Sequence, residues 1–395
     1  MQQQNPWTKT SFRLLAATLC SFRINGFLLR RAAGIFVMLV AALRPDIKAA
    51  DEAYFYSAAF EQDVKMRLRQ INSPIPLTYQ EEVLPILQRY FTYGYRETEG
   101  ILERSHRYLP IFEHYLRQYG LPDNLKYLPI VESAMQPNAI SGAGAMGLWQ
   151  LMRNTAESLH LQVNSTVDER KDPIASTQAA VQYLSQLHEQ FGDWHLALAA
   201  YNCGPGRVER AIALSGKRDF RHIMPFLPKA TRRYIPAFVA ANYLMQYYSY
   251  HDIYPELPDF SWLFTRTTKV FGNVSFLRLE QITGVDRSLI ALLNPGYFKS
   301  YIPASERGYY LQLPEAGMER WSQYIRDLHG PVAAGPKDWL QSYYVVKSGE
   351  TWDKIPELLG CTPKQLTDWN ALCRQDLYYG QALVVFFDPS ELSTP

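Results

Sequence analysis

A chain of 395 residues that is 47% hydrophobic and 20% charged is too long for one ordinary core and too apolar for disorder, so two or three domains are expected. Its formal charge of +2 is unevenly held: the first 50 residues carry seven Lys or Arg against one acid, and taking these from the totals of 40 and 38 leaves 33 basic and 37 acidic, a net of −4. A body of that sign excludes nucleic-acid binding through a basic face. Residues 1–50 read as a signal peptide or N-terminal anchor. Arg30-Arg31 precede an apolar stretch, Ala32 to Leu43, shorter than the roughly 20 residues of a membrane span and suited to an export signal. Lys48-Ala49-Ala50 is a poor cleavage site, so removal and retention both stay open.

Residues 51–109 form a helical region, with apolar positions at helical period such as Val83, Leu87 and Tyr90. Ser105 to Pro110 is expected to start the next helix, which carries Ile111, Phe112, Tyr115, Leu116 and Tyr119. Gly120 would end it, and Asp123 would cap its successor. Pro129 then forces a kink or a helix restart just before Glu132. That acid lies among Leu128, Pro129, Ile130, Val131 and Ala134, where burial disfavours its charge and keeps a proton available near neutral pH. A glycine-rich run, Gly142 to Gln150, comes next.

Asp168, Glu169 and Asp172 are the nearest candidates for a second carboxylate, but Arg170 and Lys171 among them favour ion pairing or capping. Ser176 to Phe191 reads as a helix closed by Gly192, with Asp193 capping another from Trp194 to Tyr201. A long helix is expected from Thr231 to Tyr248, and Tyr254 to Leu263 reads as a linker.

The C-terminal part changes period. Thr268 to Phe271, Leu277 to Thr283, Arg287 to Leu292 and Tyr309 to Leu313 read strand, helix, helix, strand, with Asn294-Pro295-Gly296 as a stop. The same order recurs from Tyr344-Val345-Val346 through Leu366 and Trp369-Asn370 to Leu383-Val384-Val385. No Cys/His cluster points to zinc, and no cofactor is expected. Cys361 and Cys373 read either as a bridge within this module or as two separate thiols.

Glu132-Ser133, Ser141, Gly142-Ala143-Gly144-Ala145-Met146-Gly147-Leu148-Trp149-Gln150 and Ala200-Tyr201-Asn202-Cys203-Gly204-Pro205-Gly206 together resemble the catalytic core of the lytic transglycosylases of the lysozyme-like superfamily, over roughly Pro110 to Tyr247. The segment from Tyr344 to Val385, opening on Tyr344 to Trp352, resembles a LysM repeat. The whole arrangement is similar to the membrane-bound lytic murein transglycosylase D type.

The resemblance implies a mainly α, lysozyme-like catalytic domain at 110–250, then small α+β (βααβ) modules: a degenerate LysM-like unit at 264–330 and a LysM domain at 341–388. It implies cleavage of peptidoglycan by one acid, Glu132, with the substrate's own 6-hydroxyl as nucleophile and 1,6-anhydro products. Ser141, Met146, Gln150, Tyr183, Tyr201, Asn202 and Tyr234 would bind sugar. From the residues alone, Met146, Leu148 and Trp149 read as packing rather than catalysis. LysM-mediated N-acetylglucosamine binding and an exported envelope location, periplasmic with membrane association left open, derive from the same resemblance.

Three departures stand out. Ala230 occupies a position where relatives often have Glu, and Trp352 and Pro356 replace the usual Leu and Ala, which predicts a short or reshaped first helix in the last module. A lysozyme-type muramidase, or a scaffold that binds peptidoglycan without cutting it, are the competing readings.

Overall fold

The computed structural model describes residues 49–255, 264–329, 339–346, 351–352, 354–370 and 382–387. Residues 1–56 and 57–395 are separate compact units. In the described part of the first lies the helix Ala49–Phe55. The apolar segment 32–43, Cys20, Cys373 and most of the expected linker lie outside the described residues. No helix among the described residues is long and apolar enough to cross a membrane.

Up to Asp252 the second unit is built of helices and loops, and side-chain caps set several of the helix starts. A 24-residue helix, Tyr95–Gln118, runs straight through the stretch expected to start one at Ser105. Ser105 is buried and donates its hydroxyl back to the Ile101 carbonyl at 2.7 Å, so it acts inside the helix and not as a cap. Pro110 sits within the same helix, because burial of Ile101, Tyr108, Phe112 and Leu116 along one face outweighs the one backbone bond that proline removes.

Gly120 ends the helix at φ +64°, with the Leu121 N–H returned to the Leu116 carbonyl at 2.9 Å, as expected of a glycine stop. Asp123 does not cap the next helical segment. Its carboxylate meets Lys126 at 2.7 Å, and Pro122 occupies the cap position.

Asp172 does cap. Its side chain accepts from the N–H groups of Ile174 and Ala175, each at 2.8 Å, which moves the start of that helix from the expected Ser176 to Pro173. Gly192 closes it at φ +68°, and Asp193 caps Trp194–Cys203 through the Leu196 N–H. The single helix expected over 231–248 is two, Lys229–Arg232 and Tyr234–Tyr247, meeting at Arg233.

Beyond residue 264 the chain forms two βααβ units. The first has strands β1 (Thr265–Val270), β2 (Val274–Ser275), β3 (Tyr301–Ile302) and β4 (Tyr309–Pro314), with helices Phe276–Thr283 and Arg287–Leu293 between β2 and β3. A helix not foreseen from the sequence, Glu315–His329, comes after it. The second unit has β5 (Leu340–Val345), helices Ile355–Leu358 and Pro363–Asn370, and β6 (Ala382–Phe387). Pro356 sits in the first turn of the four-residue helix, so that element is short, as expected.

The units are not independent. β1 pairs antiparallel with β4 and parallel with β5, giving one sheet in the order β4-β1-β5-β6. A single apolar cluster runs from Phe276, Leu279 and Leu311 of the first unit to Tyr344, Ile355 and Leu366 of the second. Both units also use the same buried clamp. The Asn294 amide donates to the carbonyls of Ile290 and Gln312 and accepts from the Gln312 N–H, and Asn370 does the same with Leu366 and Val384. Removing residues 340–395 would therefore strip a strand from β1 and expose a shared core, so a clean deletion of the last module is not available.

Candidate active site

Glu132 lies on a six-residue helix, Leu128–Ser133, entered from a 3-10 segment, Asp123–Tyr127, with Pro129 in its first turn. The restart expected from Pro129 is thus present. The helix ends abruptly, because Ala134 and Met135 both adopt left-handed backbone, φ +50° and +61°. Non-glycine residues held there store strain, of about 1–3 kcal/mol each, that the surroundings must impose. Arg104, from the long helix, donates two hydrogen bonds to the Ala134 carbonyl, at 3.0 and 2.9 Å. On the other side the buried Ser133 hydroxyl lies 2.8 Å from the Leu148 carbonyl and 3.1 Å from that of Pro129, tying the acid's helix to the glycine-rich loop.

Taken as a whole residue, Glu132 is half-buried. Burial pushes its carboxyl up to about 7, against the opposing pull of Tyr234, whose hydroxyl donates to Oε1. Oε2 makes no hydrogen bond to protein among the described residues. It can therefore carry the proton outward while Oε1 is held in place. Tyr201 also lies near enough to feel the Glu132 charge, but its hydroxyl donates to the Trp149 carbonyl at 2.7 Å. Tyr183 packs on the Tyr201 ring at 5.6 Å between centroids. Asn202 is exposed, and its Oδ1 accepts from Thr231 at 2.8 Å, while its amide N–H groups donate to no protein group among the described residues. Ala230, beside Thr231, points to solvent.

The remaining expected residues shape the loop. Ser141 Oγ accepts from the Ala145 N–H at 3.0 Å, and the Gln150 amide donates to the carbonyls of Ala139 and Gly147, at 3.1 and 2.9 Å. Gln150 is itself left-handed, φ +49°. Met146 Sδ lies 3.7 Å from the Arg170 guanidinium. Leu148 and Trp149 are fully buried, and the Trp149 indole donates to Thr177 at 2.9 Å, which makes both packing residues.

The neighbouring acids are committed elsewhere. Asp168 holds Arg170 in a bidentate pair, at 2.9 and 2.7 Å. Glu169 accepts from the Gln162 N–H and pairs with Arg307, and Asp172 caps its own helix. Burial pushes the Asp172 carboxyl up to about 7 as well, so a raised value does not by itself mark an acid catalyst. Geometry separates the two, since Asp172 aims at its own helix. The pairing and capping favoured from the sequence is what these residues do.

Residues 110–224 match the Transglycosylase SLT domain family, and 344–386 the LysM domain family. This chain carries both domains. Membrane-bound lytic murein transglycosylase D of Escherichia coli K12 is 30% identical over 291 residues, which is 71% of this chain and 64% of that protein. Membrane-bound lytic murein transglycosylase F 1 of Alkalilimnicola ehrlichii is 32% identical over 171 residues, 40% of this chain and 33% of its own. The chain thus spans somewhat under two thirds of the D-type relative. The solved lytic transglycosylase Slt of Pseudomonas aeruginosa aligns over 38% of this chain and 25% of its own at 26% identity and a TM-score of 0.31, too partial a likeness to carry an argument.

Glu132, Tyr201 and Tyr183 of the SLT domain come together with Tyr234, which follows the matched residues, while Ser141, Met146 and Gln150 organise the adjoining loop. Sequence reasoning missed Arg104 and gave Arg170 only its pairing role. The Arg170 guanidinium also donates to the carbonyls of Gly144 (3.0 Å) and Leu151 (3.3 Å), holding the SLT loop from beneath. Nothing in the local pattern announces that reach across 26 residues.

Tyr234→Phe is expected to remove the donor that favours the Glu132 carboxylate, moving the alkaline limb of the pH–rate profile to higher pH. Loss of orientation should lower the plateau rate roughly tenfold. A pH–rate comparison of the two proteins checks both parts.

Proposed function

We propose that the chain is a lytic transglycosylase that cleaves the β-1,4 bond between N-acetylmuramic acid and N-acetylglucosamine in peptidoglycan. The observation that carries this reading is the placement of Glu132, oriented by Tyr234 in surroundings whose burial pushes its carboxyl up to about 7, and without a second carboxylate acting on it among the described residues. Most glycosidases that use water or an enzyme nucleophile place two carboxylates about 5–10 Å apart. A single acid fits a reaction in which the substrate supplies the nucleophile.

Glu132 gives its proton to the departing glycosidic oxygen. As a carboxylate it then takes the proton of the muramoyl 6-hydroxyl, whose oxygen closes on the anomeric carbon. No water is consumed, and Glu132 ends protonated as it began. Tyr201 and Tyr183 offer an apolar face to sugar rings, and the Asn202 N–H groups suit an acetamido oxygen. The LysM domain retains the enzyme on glycan strands through N-acetylglucosamine. Residues 264–330, which repeat the strand order and the asparagine clamp, are a second, degenerate copy. The name of the D-type relative and the basic residues and apolar stretch within residues 1–50 support export to the cell envelope.

Mass spectrometry of glycan digested by the full chain tests the proposal. Anhydro products, lighter by one water than hydrolytic ones, are expected. Reducing-end products would make it a muramidase, and intact glycan a binding scaffold.

A further inference from the structure

A cavity of about 220 Å³ lies at the seam between the helical domain and the first βααβ unit, and none of the residues placed around Glu132 lines it. Its helical wall is apolar at Leu161, Ala175 and Ala179, with the Gln182 amide beside them; Lys269 of β1 and Arg307 stand on the other wall.

The two cations are not equivalent. Arg307 is neutralised by Glu169 and donates to the His160 carbonyl at 2.6 Å, which fastens the βααβ unit to the helical domain. Lys269 donates to the Arg307 carbonyl at 3.3 Å and lies over the Tyr310 and Phe387 rings, 5.5 and 5.8 Å away, with no carboxylate in ion-pair reach among the described residues. Burial, and secondarily the Arg307 charge, pull the Lys269 ammonium down to about 8. Glu169, which also lines the cavity, is the one carboxylate whose charge offsets Lys269 among the described residues, and its ion pair is with Arg307, so two cations share a single acid and one positive charge is left over for an anion to meet. Gln182 likewise has no hydrogen-bond partner among the described residues, though its amide can both donate and accept.

We propose that this cavity binds the terminal carboxylate and adjoining amide of a short peptide, with Lys269 taking the carboxylate, Gln182 the amide, and the strip Leu161, Ala175 and Ala179 a small side chain. The volume is below the roughly 300–1,000 Å³ of sites for larger ligands and fits one or two small residues. The choice of ligand rests on the proposed action on peptidoglycan, which carries acidic peptides; the cavity's chemistry does not depend on it.

Isothermal titration calorimetry of the full chain with N-acetyl-D-alanyl-D-alanine, and with the same peptide as its C-terminal amide, tests the site. The acid should bind wild type and Glu132→Gln alike. Amidation of the probe, or Lys269→Met in a protein whose thermal unfolding is unchanged, should each weaken binding about tenfold or more. Equal binding by Lys269→Met, equal binding of the amide, loss of binding in Glu132→Gln, or no binding to wild type would each overturn the proposal. The readout involves no glycan cleavage, so a chain that binds the acid through Lys269 but cuts nothing sinks the proposed activity and leaves the site standing.

Discussion

Glu132→Gln is expected to lower glycan cleavage by at least about a thousandfold, because one group supplies both the proton given and the proton taken. The same change should stabilise the protein at alkaline pH. Burial holds the folded carboxyl protonated to about 7, whereas the unfolded chain releases that proton near 4.5. Between those values the folded state binds more protons than the unfolded, so wild-type stability falls as pH rises through the window and levels off above it. Glutamine has no proton to lose. The variant should match wild type near pH 4 and exceed it by on the order of 1–3 kcal/mol at pH 8, discounted for the half-buried position. Denaturant unfolding of both proteins at the two pH values checks the sign, and equal stability at pH 8 would contradict the buried-acid account.

Gly147→Ala is expected to be the most damaging single-methyl change in the loop. Gly147 sits at φ +85°, and a Cβ there would fall 1.8 Å from the Arg170 carbonyl oxygen, a backbone atom that no side-chain rotation relieves. The loop must lift away from residues 168–172, at a cost of roughly 4 kcal/mol or more and with loss of the Arg170 bonds beneath it. Cleavage should fall with it, since Leu148 and Trp149 carry the carbonyls that hold Ser133 and Tyr201. Gly144→Ala is the control. It shares the left-handed backbone, φ +84°, but meets nothing within 4 Å, so only the backbone term of about 1–2 kcal/mol applies. Thermal unfolding of the two variants, with cleavage measured alongside, separates collision from conformation; similar losses in both would mean the loop is not seated on Arg170.

What could be read from the sequence was chemistry acting within a few residues of itself. Pro129 restarting a helix before Glu132, Gly192 stopping one, Asp193 starting the next, and apolar neighbours raising an acid are all local effects, and all are present in the fold. Ser105-to-Pro110 misled because a serine and a proline mark a helix start only when no long apolar face carries the helix through them, and here one does. The 231–248 segment misled in the opposite direction, since helical period gave no sign of the break at Arg233.

The features that hold the site together are distant in sequence. Arg104 reaches Ala134, Arg170 reaches Gly144, and Arg307 reaches Glu169 across 138 residues. The parallel pairing of β1 with β5 is of the same kind: each strand looks complete within its own unit, and only tertiary packing merges them. Val167, from the helical domain, is buried in the C-terminal core, while Tyr310 packs against the helical one, an exchange that no periodicity encodes.

The ionisation of one carboxyl decides the central claim. With glutamate 13C-labelled at its carboxyl, the resonance that vanishes in Glu132→Gln can be tracked in wild type from pH 3 to 9. A midpoint close to 7 is predicted, moving upward in Tyr234→Phe. A midpoint near 4.5, unmoved by that substitution, would mean the group is a solvated carboxylate at neutral pH and not the proton donor.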